Sequence, residues 1–330
     1  MRAAVTAEAG GFEVVSLPDP SPGPDELVIR VAACGVCGSD LKARPFMPPG
    51  MVMGHEFGGE VVAVGTGTQG WREGTNVAVL PVVSCGRCER CSSGDVAHCA
   101  SGRYVGMGAD AGGFADFAVV PARLAFPLPD ELPRIHAALV EPFAVGLHGV
   151  SRGEVGPGDS VLVVGAGGVG LTTLAWARAN GAVRITVADP ESARRALAKQ
   201  LGATDVLATA VDAERDSYDV VIECVGRPEL MEQCEAAART LGRIVIAGAC
   251  DQPMPLEPIG ALLKELTIRF SVAYRPDEFH RVIDAFRTGA VDPSPVVGPA
   301  LGLDRVGEAF DLVRSAGTQG RVLILPAAAG

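Results

Sequence analysis

Four cysteines lie close together in the segment SCGRCERCSSGDVAHC, with the spacing CxxCxxCx7C. They are Cys85, Cys88, Cys91 and Cys99. Four thiolates bind Zn²⁺ tightly in a closed tetrahedral shell, so such a site stabilises a loop and performs no catalysis. Disulfide pairing is the alternative, but nothing else in the chain indicates an oxidising compartment. The spacing therefore predicts a structural zinc site, and the catalytic residues must lie elsewhere.

A second group of residues that can bind metal is spread over three motifs. Cys37 lies in AACGVCGSD, His55 and Glu56 lie in MVMGHEFGGE, and Glu141 lies in ALVEPFAVGLH. Mixed thiolate, imidazole and carboxylate ligands suit a zinc site with an open position, where a bound oxygen is polarised and its proton becomes more acidic. Cys34 forms a CxxC pair with Cys37, and we interpret it as a buried apolar side chain rather than a redox partner.

The segment DSVLVVGAGGVGLTTLAWARANGA has the pattern of a strand, a tight turn and a helix. A short apolar run at Val161 to Val164 is followed by Gly165, Gly167 and Gly170, and a helical pattern then continues to Ala179. The GxGxxG spacing lets the backbone approach a pyrophosphate at the positive end of the helix. Alone, this motif is weak evidence for a dinucleotide site.

A carboxylate at the expected distance strengthens the interpretation. A second apolar strand from Val183 to Ala188 leads directly to Asp189, which follows Gly170 by nineteen residues. A carboxylate there can bind the adenosine ribose hydroxyls, and it would repel the 2′-phosphate of NADP. The sequence therefore favours NAD, although Arg194 and Arg195 keep NADP open as the alternative.

Composition excludes several classes of function. The 330-residue chain is 48% hydrophobic, which is enough for a large core, and its net charge of -11 provides no basic stripe for nucleic acid. The run from Val161 to Ala177 is uncharged, but its glycines favour a dinucleotide turn over a membrane span. Since the N-terminal residues lack the apolar stretch of a signal peptide, we expect a cytoplasmic protein with a small-molecule substrate and no membrane or nucleic-acid partner.

Strand and helix patterns alternate after residue 160, whereas the first 140 residues contain short strand patterns between Pro and Gly clusters. We therefore predict an α/β protein with a doubly wound parallel sheet and a β-rich lobe. The chain end, with its RVLIL run, is expected to return to the first lobe. The further predicted elements are strands at Leu27 to Ala32, Glu60 to Val64, Tyr218 to Cys224 and Gly242 to Ala247, and a helix from Pro228 to Thr240.

The motifs GHE, CGSD, the four-cysteine loop, EPFAVGLH and GAGGVG occur in the order and spacing of zinc-dependent medium-chain alcohol dehydrogenases. The chain resembles this family over essentially its whole length, and is most similar to the polyol (sorbitol) and threonine dehydrogenase branches. The resemblance implies a GroES-like catalytic domain at 1–144, to which 280–330 returns, and a Rossmann domain at 145–279. It also implies a homodimer or homotetramer.

The resemblance implies a role for each metal-binding candidate. Cys37 and His55 match the two catalytic zinc ligands that nearly all zinc-dependent members share. Glu141 stands where the classical alcohol dehydrogenases have a third thiolate and the polyol branch has a glutamate. Glu56 matches a residue that reaches the metal in some resting states. With the four-cysteine site, the chain would bind two zinc ions.

Further residues match the proton path and the cofactor site. Ser39 matches the hydroxyl that hydrogen-bonds the substrate oxygen and passes on its proton, and Asp40 matches the carboxylate that orients a ligand imidazole. Where many relatives have a histidine at the outer end of this path, the chain has Lys42. Either the path leaves another way or Lys42 contacts an acidic group. The implied cofactor-binding residues are Gly165, Gly167, Gly168, Val169, Gly170, Asp189 and Arg194.

The residues and the resemblance together predict reversible, zinc-dependent hydride transfer between a secondary alcohol and NAD. A polyol, a sugar-like alcohol or an amino alcohol is the expected substrate. One alternative is a zinc-free enone or quinone reductase of the same architecture, and another is an NAD(H)-binding protein without turnover. The sequence leaves the substrate's identity, its stereochemistry and the number of subunits open.

Overall fold

The structure is a computed structural model that describes residues 1–108, 110–315 and 318–327, with Ala9 described in its backbone alone. The chain divides into two compact units. The first comprises Met1–Glu141, Arg275–Ala316 and Arg321–Gly330, and the second comprises Pro142–Tyr274 and Gly317–Gly320.

Strands predominate in the first unit, and strands alternate with helices in the second. Among the described residues, no helix is both long and apolar enough to span a membrane. The strands are β1 (Arg2–Thr6), β2 (Phe12–Ser16), β3 (Glu26–Gly35), β4 (Glu56–Val64), β5 (Asn76–Val79), β6 (Val82–Val83), β7 (Arg103–Tyr104), β8 (Phe117–Pro121), β9 (Ala125–Pro127), β10 (Ser160–Val164), β11 (Arg184–Ala188), β12 (Asp205–Leu207), β13 (Tyr218–Glu223), β14 (Ala238–Ile246), β15 (Thr267–Phe270), β16 (Val297–Leu301) and β17 (Arg321–Ile324). The helices are α1 (Gly38–Ala43), α2 (Glu89–Ser92), α3 (Val140–Arg152), α4 (Gly168–Ala179), α5 (Ser192–Gln200), α6 (Leu230–Ala237), α7 (Pro258–Leu263), α8 (Pro276–Thr288) and α9 (Val306–Arg314).

The second unit is built on a six-stranded parallel sheet in the order β12-β11-β10-β13-β14-β15. The strand order reverses between β10 and β13, which is the arrangement of a Rossmann fold. Its central strands are continuous apolar runs because helices cover both faces of such a sheet. The predicted doubly wound sheet is confirmed.

One predicted helix was too long. The pattern predicted a helix from Pro228 to Thr240, but α6 ends at Ala237 and the next three residues begin β14. Lys264 Nζ donates hydrogen bonds to the carbonyl oxygens of Glu235 at 2.7 Å and Ala238 at 2.8 Å. These carbonyls at the helix end therefore have a partner outside the helix, and the chain turns into the strand.

The first unit contains a seven-stranded sheet, mostly antiparallel, in which β3 and β4 are the long central pair. Both strands are longer than predicted. Leu27, Ile29, Phe57 and Val61 are fully or almost fully buried in this unit. The last strand, β17, pairs with the end of β3 and lies in the first unit.

Candidate metal centres and dinucleotide site

The register of β3 and β4 brings the predicted catalytic zinc ligands together. Gly35, at the end of β3, pairs with Glu56, at the start of β4. Cys37 follows this pair on one chain segment and His55 precedes it on the other. The Cys37 Sγ, a His55 ring nitrogen and a Glu56 carboxylate oxygen lie within 4.8 Å of one another. This donor set fits Zn²⁺, which binds thiolate, imidazole and carboxylate ligands.

Helix α1 fixes two of these side chains through Asp40. Cys37 is the N-cap of α1, and its backbone N–H donates to Asp40 Oδ2 at 2.8 Å. Asp40 Oδ1 lies 3.0 Å from His55 Nδ1, and the carboxylate is completely buried. Because Asp40 accepts the Nδ1 proton, the lone pair of a neutral His55 is on Nε2, where it can bind a metal.

Ser39 lies on the metal-binding side of the same imidazole. Its Oγ is 3.4 Å from His55 Nε2. Lys42 follows Ser39 by three residues on α1 and is exposed. The structure therefore places the proposed relay hydroxyl next to the proposed ligand nitrogen, and Lys42 on the surface of the same helix.

Glu56 forms a buried ion pair with Arg321, a residue that the sequence did not lead us to expect at this site. Arg321 Nε donates to Glu56 Oε2 at 2.6 Å, and Glu56 has no exposed surface. Arg321 is the first residue of β17, in which Leu323 pairs with Gly35 of β3. The sequence feature that could have indicated this ion pair is the arginine at the start of the apolar run RVLIL.

Burial and charge act in opposite directions on the cluster. Burial by itself would raise the pKa of Cys37, but Arg321 and the hydrogen bond with His55 outweigh it and lower that pKa to about 6. Burial likewise opposes protonation of His55, but Asp40 outweighs it and raises the His55 pKa. Burial raises the pKa of Cys34, which is fully buried and behaves as the predicted apolar side chain.

Glu141 is not a member of the group whose donor atoms lie within 4.8 Å of one another. It is buried in the first turn of α3. Burial and the negative charge of Glu141 both raise the pKa of Tyr104, whereas a charged His55 lowers it. Tyr104 therefore lies within electrostatic range of Glu141 and His55. No motif in the sequence pointed to Tyr104.

The four cysteines of the loop lie close together. Their four Sγ atoms all lie within 4.8 Å of one another. Cys88 Sγ is 3.4 Å from Cys91 Sγ and 4.0 Å from Cys99 Sγ, and Cys85 Sγ is 3.8 Å from Cys91 Sγ. A disulfide would need about 2.05 Å. Four thiolates at about 2.3 Å from a tetrahedral Zn²⁺ would be about 3.8 Å apart, so the separations fit the metal.

The loop around these cysteines is stabilised from two directions. Backbone N–H groups of Arg87 and Cys88 lower the pKa of Cys85 to about 6, so this thiol ionises readily. Arg275, the N-cap of α8, forms an ion pair with Asp95. A carboxylate inside the loop is thereby attached to the start of a long helix of the same unit.

The glycine-rich turn has the geometry that a dinucleotide requires. Gly165 follows β10 with φ +96°, in the left-handed region that favours glycine, and α4 begins at Gly168. A Cβ on Gly170 would lie 1.8 Å from the Gly165 carbonyl oxygen, so only glycine fits there. Gly167 is the N-cap of α4, and Val169 lies in its first turn.

Asp189 follows β11 and lies next to this turn. It is buried, and its Oδ2 accepts a hydrogen bond from the Ala166 N–H at 2.8 Å. Arg194 Nη1 lies 3.9 Å from the same oxygen. The backbone carbonyl of Asp189 accepts from Arg195 Nη1 at 2.7 Å. Asp189, Arg194 and Arg195 therefore lie close together at the carboxyl edge of the sheet, as the residues of one candidate cofactor site.

Comparison with family models gives two matches. Residues 23–130 match the alcohol dehydrogenase GroES-like domain, and residues 168–288 match the zinc-binding dehydrogenase model.

Individual proteins match over nearly the whole chain. L-threonine 3-dehydrogenase of Pyrococcus abyssi is 33% identical over 340 residues, covering 97% of each chain. Sorbitol dehydrogenase of Bacillus subtilis is 32% identical, covering 94% of this chain and 93% of its own. Among solved structures, a Sinorhizobium meliloti chain described as a zinc-binding dehydrogenase, with bound NADP, superposes with a TM-score of 0.91 at 32% identity and covers 98% of this chain and 99% of its own.

Proposed function

The chain belongs to the zinc-dependent medium-chain alcohol dehydrogenases, and on that premise we propose that it catalyses reversible hydride transfer between a secondary alcohol and NAD. The observation that supports this proposal most strongly is the cluster of Cys37, His55 and Glu56 with the Ser39 hydroxyl at its edge. The substrate is a polyol, a sugar-like alcohol or an amino alcohol, because the relatives named above act on threonine and sorbitol.

The proposed catalytic zinc site uses Cys37 and His55, with Glu56 and Glu141 as further ligands. When bound there, Zn²⁺ supplies Lewis acidity that lowers the pKa of an alcohol proton. Asp40 holds the imidazole in one tautomer, and Arg321 balances the Glu56 charge. A zinc-free reductase would have no use for this donor set.

Ser39 is the proposed first proton acceptor. Its hydroxyl can accept the substrate proton and donate its own outward at the same time. Lys42 lies on the same helix and is the proposed outer participant, either in the proton path or in contact with an acidic group on the cofactor or substrate. Asp40 acts through His55 and is a positioning residue.

The four-cysteine loop is proposed to hold the second zinc ion. Sulfur separations of 3.4 to 4.0 Å support it, and four thiolates leave no open position. The metal would stabilise the loop without taking part in catalysis.

NAD is the proposed cofactor. Asp189 supports this choice because its carboxylate lies beside the glycine-rich turn and would repel a 2′-phosphate. The similar Sinorhizobium meliloti chain was crystallised with NADP, and Arg194 and Arg195 are the residues through which NADP could be accepted here. The proposed binding residues are Gly165, Gly167, Gly168, Val169, Gly170, Asp189 and Arg194.

We further propose that 1–144 with 280–330 acts as the catalytic domain and 145–279 as the cofactor domain of a cytoplasmic homodimer or homotetramer. Large apolar side chains are 56 to 74% exposed around β15, an edge strand of the parallel sheet, and no residue of α7 is buried. An edge strand with apolar surroundings suits self-pairing about a two-fold axis. The residues are Leu241, Ile259, Leu262, Leu263, Phe270 and Val272.

The test is NAD⁺ reduction measured across a panel of polyols and amino alcohols. We expect activity with at least one member of the panel, and a loss of about 100-fold or more in kcat for Ser39→Ala. Ser39→Thr, which keeps a hydroxyl, is the matched control and should retain most of the activity. Equal activity in all three proteins would contradict the relay role. No activity in the original chain, despite NADH binding, would favour the binding protein without turnover.

A further inference from the structure

Glu223 is a buried acidic residue at the point where the parallel sheet changes direction. It ends β13, and its register partners are Val164, which ends β10, and Ile246, which ends β14. Its side chain has no exposed surface. Ligands of doubly wound sheets bind outside the carboxyl ends of the strands at this reversal. Glu223 thus lies beneath the place where a dinucleotide is expected.

The side chain and the backbone of Glu223 hold two different loops. Its Oε1 accepts hydrogen bonds from the backbone N–H groups of Val225 at 2.7 Å and Gly226 at 2.8 Å. Its carbonyl oxygen accepts from the N–H groups of Ala247 at 2.8 Å and Gly248 at 2.9 Å. One residue therefore connects the loop after β13 with the loop after β14.

The backbones of these two loops are closely packed against each other. A Cβ on Gly248 would lie 2.1 Å from the Gly226 nitrogen and 2.6 Å from Glu223 Oε2. A Cβ on Gly226 would lie 2.2 Å from the Ala249 carbonyl oxygen, and Gly226 has φ +79°. The two loop backbones are therefore in direct contact, and neither glycine leaves space for a side chain.

The loop after β13 also contacts the glycine-rich turn. Val225 Cγ2 lies 2.6 Å from the position that a Cβ on Gly165 would occupy. The Val225 side chain therefore lies directly on the first glycine of the GxGxxG motif, and it is 39% exposed. The hydrogen bonds that Glu223 Oε1 accepts from the Val225 and Gly226 N–H groups hold the backbone that carries this side chain.

We infer that Glu223 is a positioning residue for cofactor binding, which fixes the loop at Val225 and Gly226 against the glycine-rich turn. The inference rests on the proposed function, because it assumes that the turn binds NAD(H). A carboxylate suits this role because hydrogen bonds from N–H groups to a charged acceptor are about twice as strong as those to a neutral one. An apolar residue would leave two loop N–H groups without this acceptor.

The experiment compares Glu223→Leu, Glu223→Gln and Glu223→Asp in the zinc-loaded protein, with NADH binding measured by nucleotide fluorescence. Glu223→Leu should raise the Kd for NADH by about tenfold or more, because two hydrogen bonds to the loop are lost. Glu223→Gln retains a carbonyl oxygen at the same reach but loses the charge, so it should weaken NADH binding less than Glu223→Leu does. Glu223→Asp keeps the charge but is one methylene shorter, and should weaken binding in the same direction as Glu223→Leu.

Glu235→Leu is the matched control. Glu235 is also buried in the second unit and also faces a backbone N–H, that of Glu257 at 3.3 Å, but it lies three residues before β14 and hence near the opposite edge of the sheet. This variant should lower stability and leave the Kd for NADH unchanged. Steady-state assays should show the Glu223 effect as a raised KM for NAD⁺, with a smaller change in kcat at saturation.

Each outcome decides the inference. An unchanged Kd for NADH in Glu223→Leu would overturn it, because the effect would be absent. A Kd raised as much by Glu235→Leu would also overturn it, because the effect would then reflect a general loss of stability. If Glu223→Leu does not fold, Glu223→Asp decides, and normal NADH binding by that variant would overturn it. Failure of the original protein to bind NADH would overturn the proposed function and this inference together, whereas equal binding by all variants would overturn the inference alone.

Discussion

Arg321 donates a 2.6 Å hydrogen bond from Nε to Oε2 of Glu56, and both side chains are buried. The two residues are 265 positions apart and meet because β17 returns to the end of β3. Glu56 and Cys37 place two acidic groups in one buried cluster, so a permanent cation there reduces the cost of keeping both ionised.

Replacing Arg321 by methionine should leave the Glu56 charge buried and unpaired. We expect the free energy of unfolding to fall by about 3–5 kcal/mol, measured by urea denaturation of the zinc-loaded protein. The double variant Arg321→Met with Glu56→Gln is the matched control, and it should recover at least half of the loss. A double variant that is less stable than Arg321→Met would show that the ion pair is not the cause.

Cys37 should ionise at unusually low pH in metal-free protein. Despite burial, Arg321 and His55 lower its pKa to about 6. The thiolate fraction rises as the pH rises through this value, so alkylation of Cys37 should be half-maximal near pH 6, as followed by mass spectrometry of its peptide. In Arg321→Met the midpoint should move to higher pH. A midpoint of 8.5 or above in the unaltered protein would contradict the description of this cluster.

Cys91→Ser should remove the metal from the four-cysteine loop. Because the loop ligands lie close together only when the loop is folded, we expect the loss of one zinc ion per chain and a Tm lower by about 5–10 °C. Thiol titration should show the remaining loop cysteines newly reactive. Cys250→Ser, a cysteine outside both metal groups, is the control. Unchanged zinc content in Cys91→Ser would exclude the structural site.

Asp189→Gly should shift cofactor preference toward NADP. The carboxylate no longer repels a 2′-phosphate, and Arg194 and Arg195 lie close by, so kcat/KM for NADP relative to NAD should rise by about tenfold or more. The ratio is the appropriate readout because Asp189 also holds the Ala166 N–H, whose loss affects both cofactors. Asp205→Gly, at an exposed aspartate of the same sheet, should leave the ratio unchanged. An unchanged ratio in Asp189→Gly would mean that Asp189 does not select the cofactor.

The sequence predicted the elements whose signals are local. Strand β10, before the glycine-rich turn, and strand β11, after helix α4, are short and mainly apolar. They lie where the pattern placed them, to within one residue. The four cysteines and the CGSD and GHE motifs are equally local, and each set of side chains comes together in the structure.

Interactions between distant residues were not predictable in this way. The EAAART segment favours a continuing helix, yet Lys264, far along the chain, binds the carbonyls at which α6 ends. Arg321 contacts Glu56 of the metal cluster, and Tyr104 lies within electrostatic range of His55; both are on strands that carry no motif. Glu141 was grouped with the ligands from its residue type and from the resemblance, and the close donor group contains Cys37, His55 and Glu56 without it. In each case tertiary packing decided the outcome.

The central claim, a catalytic zinc site at Cys37 and His55, is tested most directly by metal content and activity measured on the same samples. Protein purified without added zinc should contain about two zinc ions per chain. Mild chelation should remove one ion together with NAD⁺ reduction, and added zinc should restore both. A single ion that resists chelation, with activity unaffected by the chelator, would contradict the claim and leave the four-cysteine loop as the one metal site.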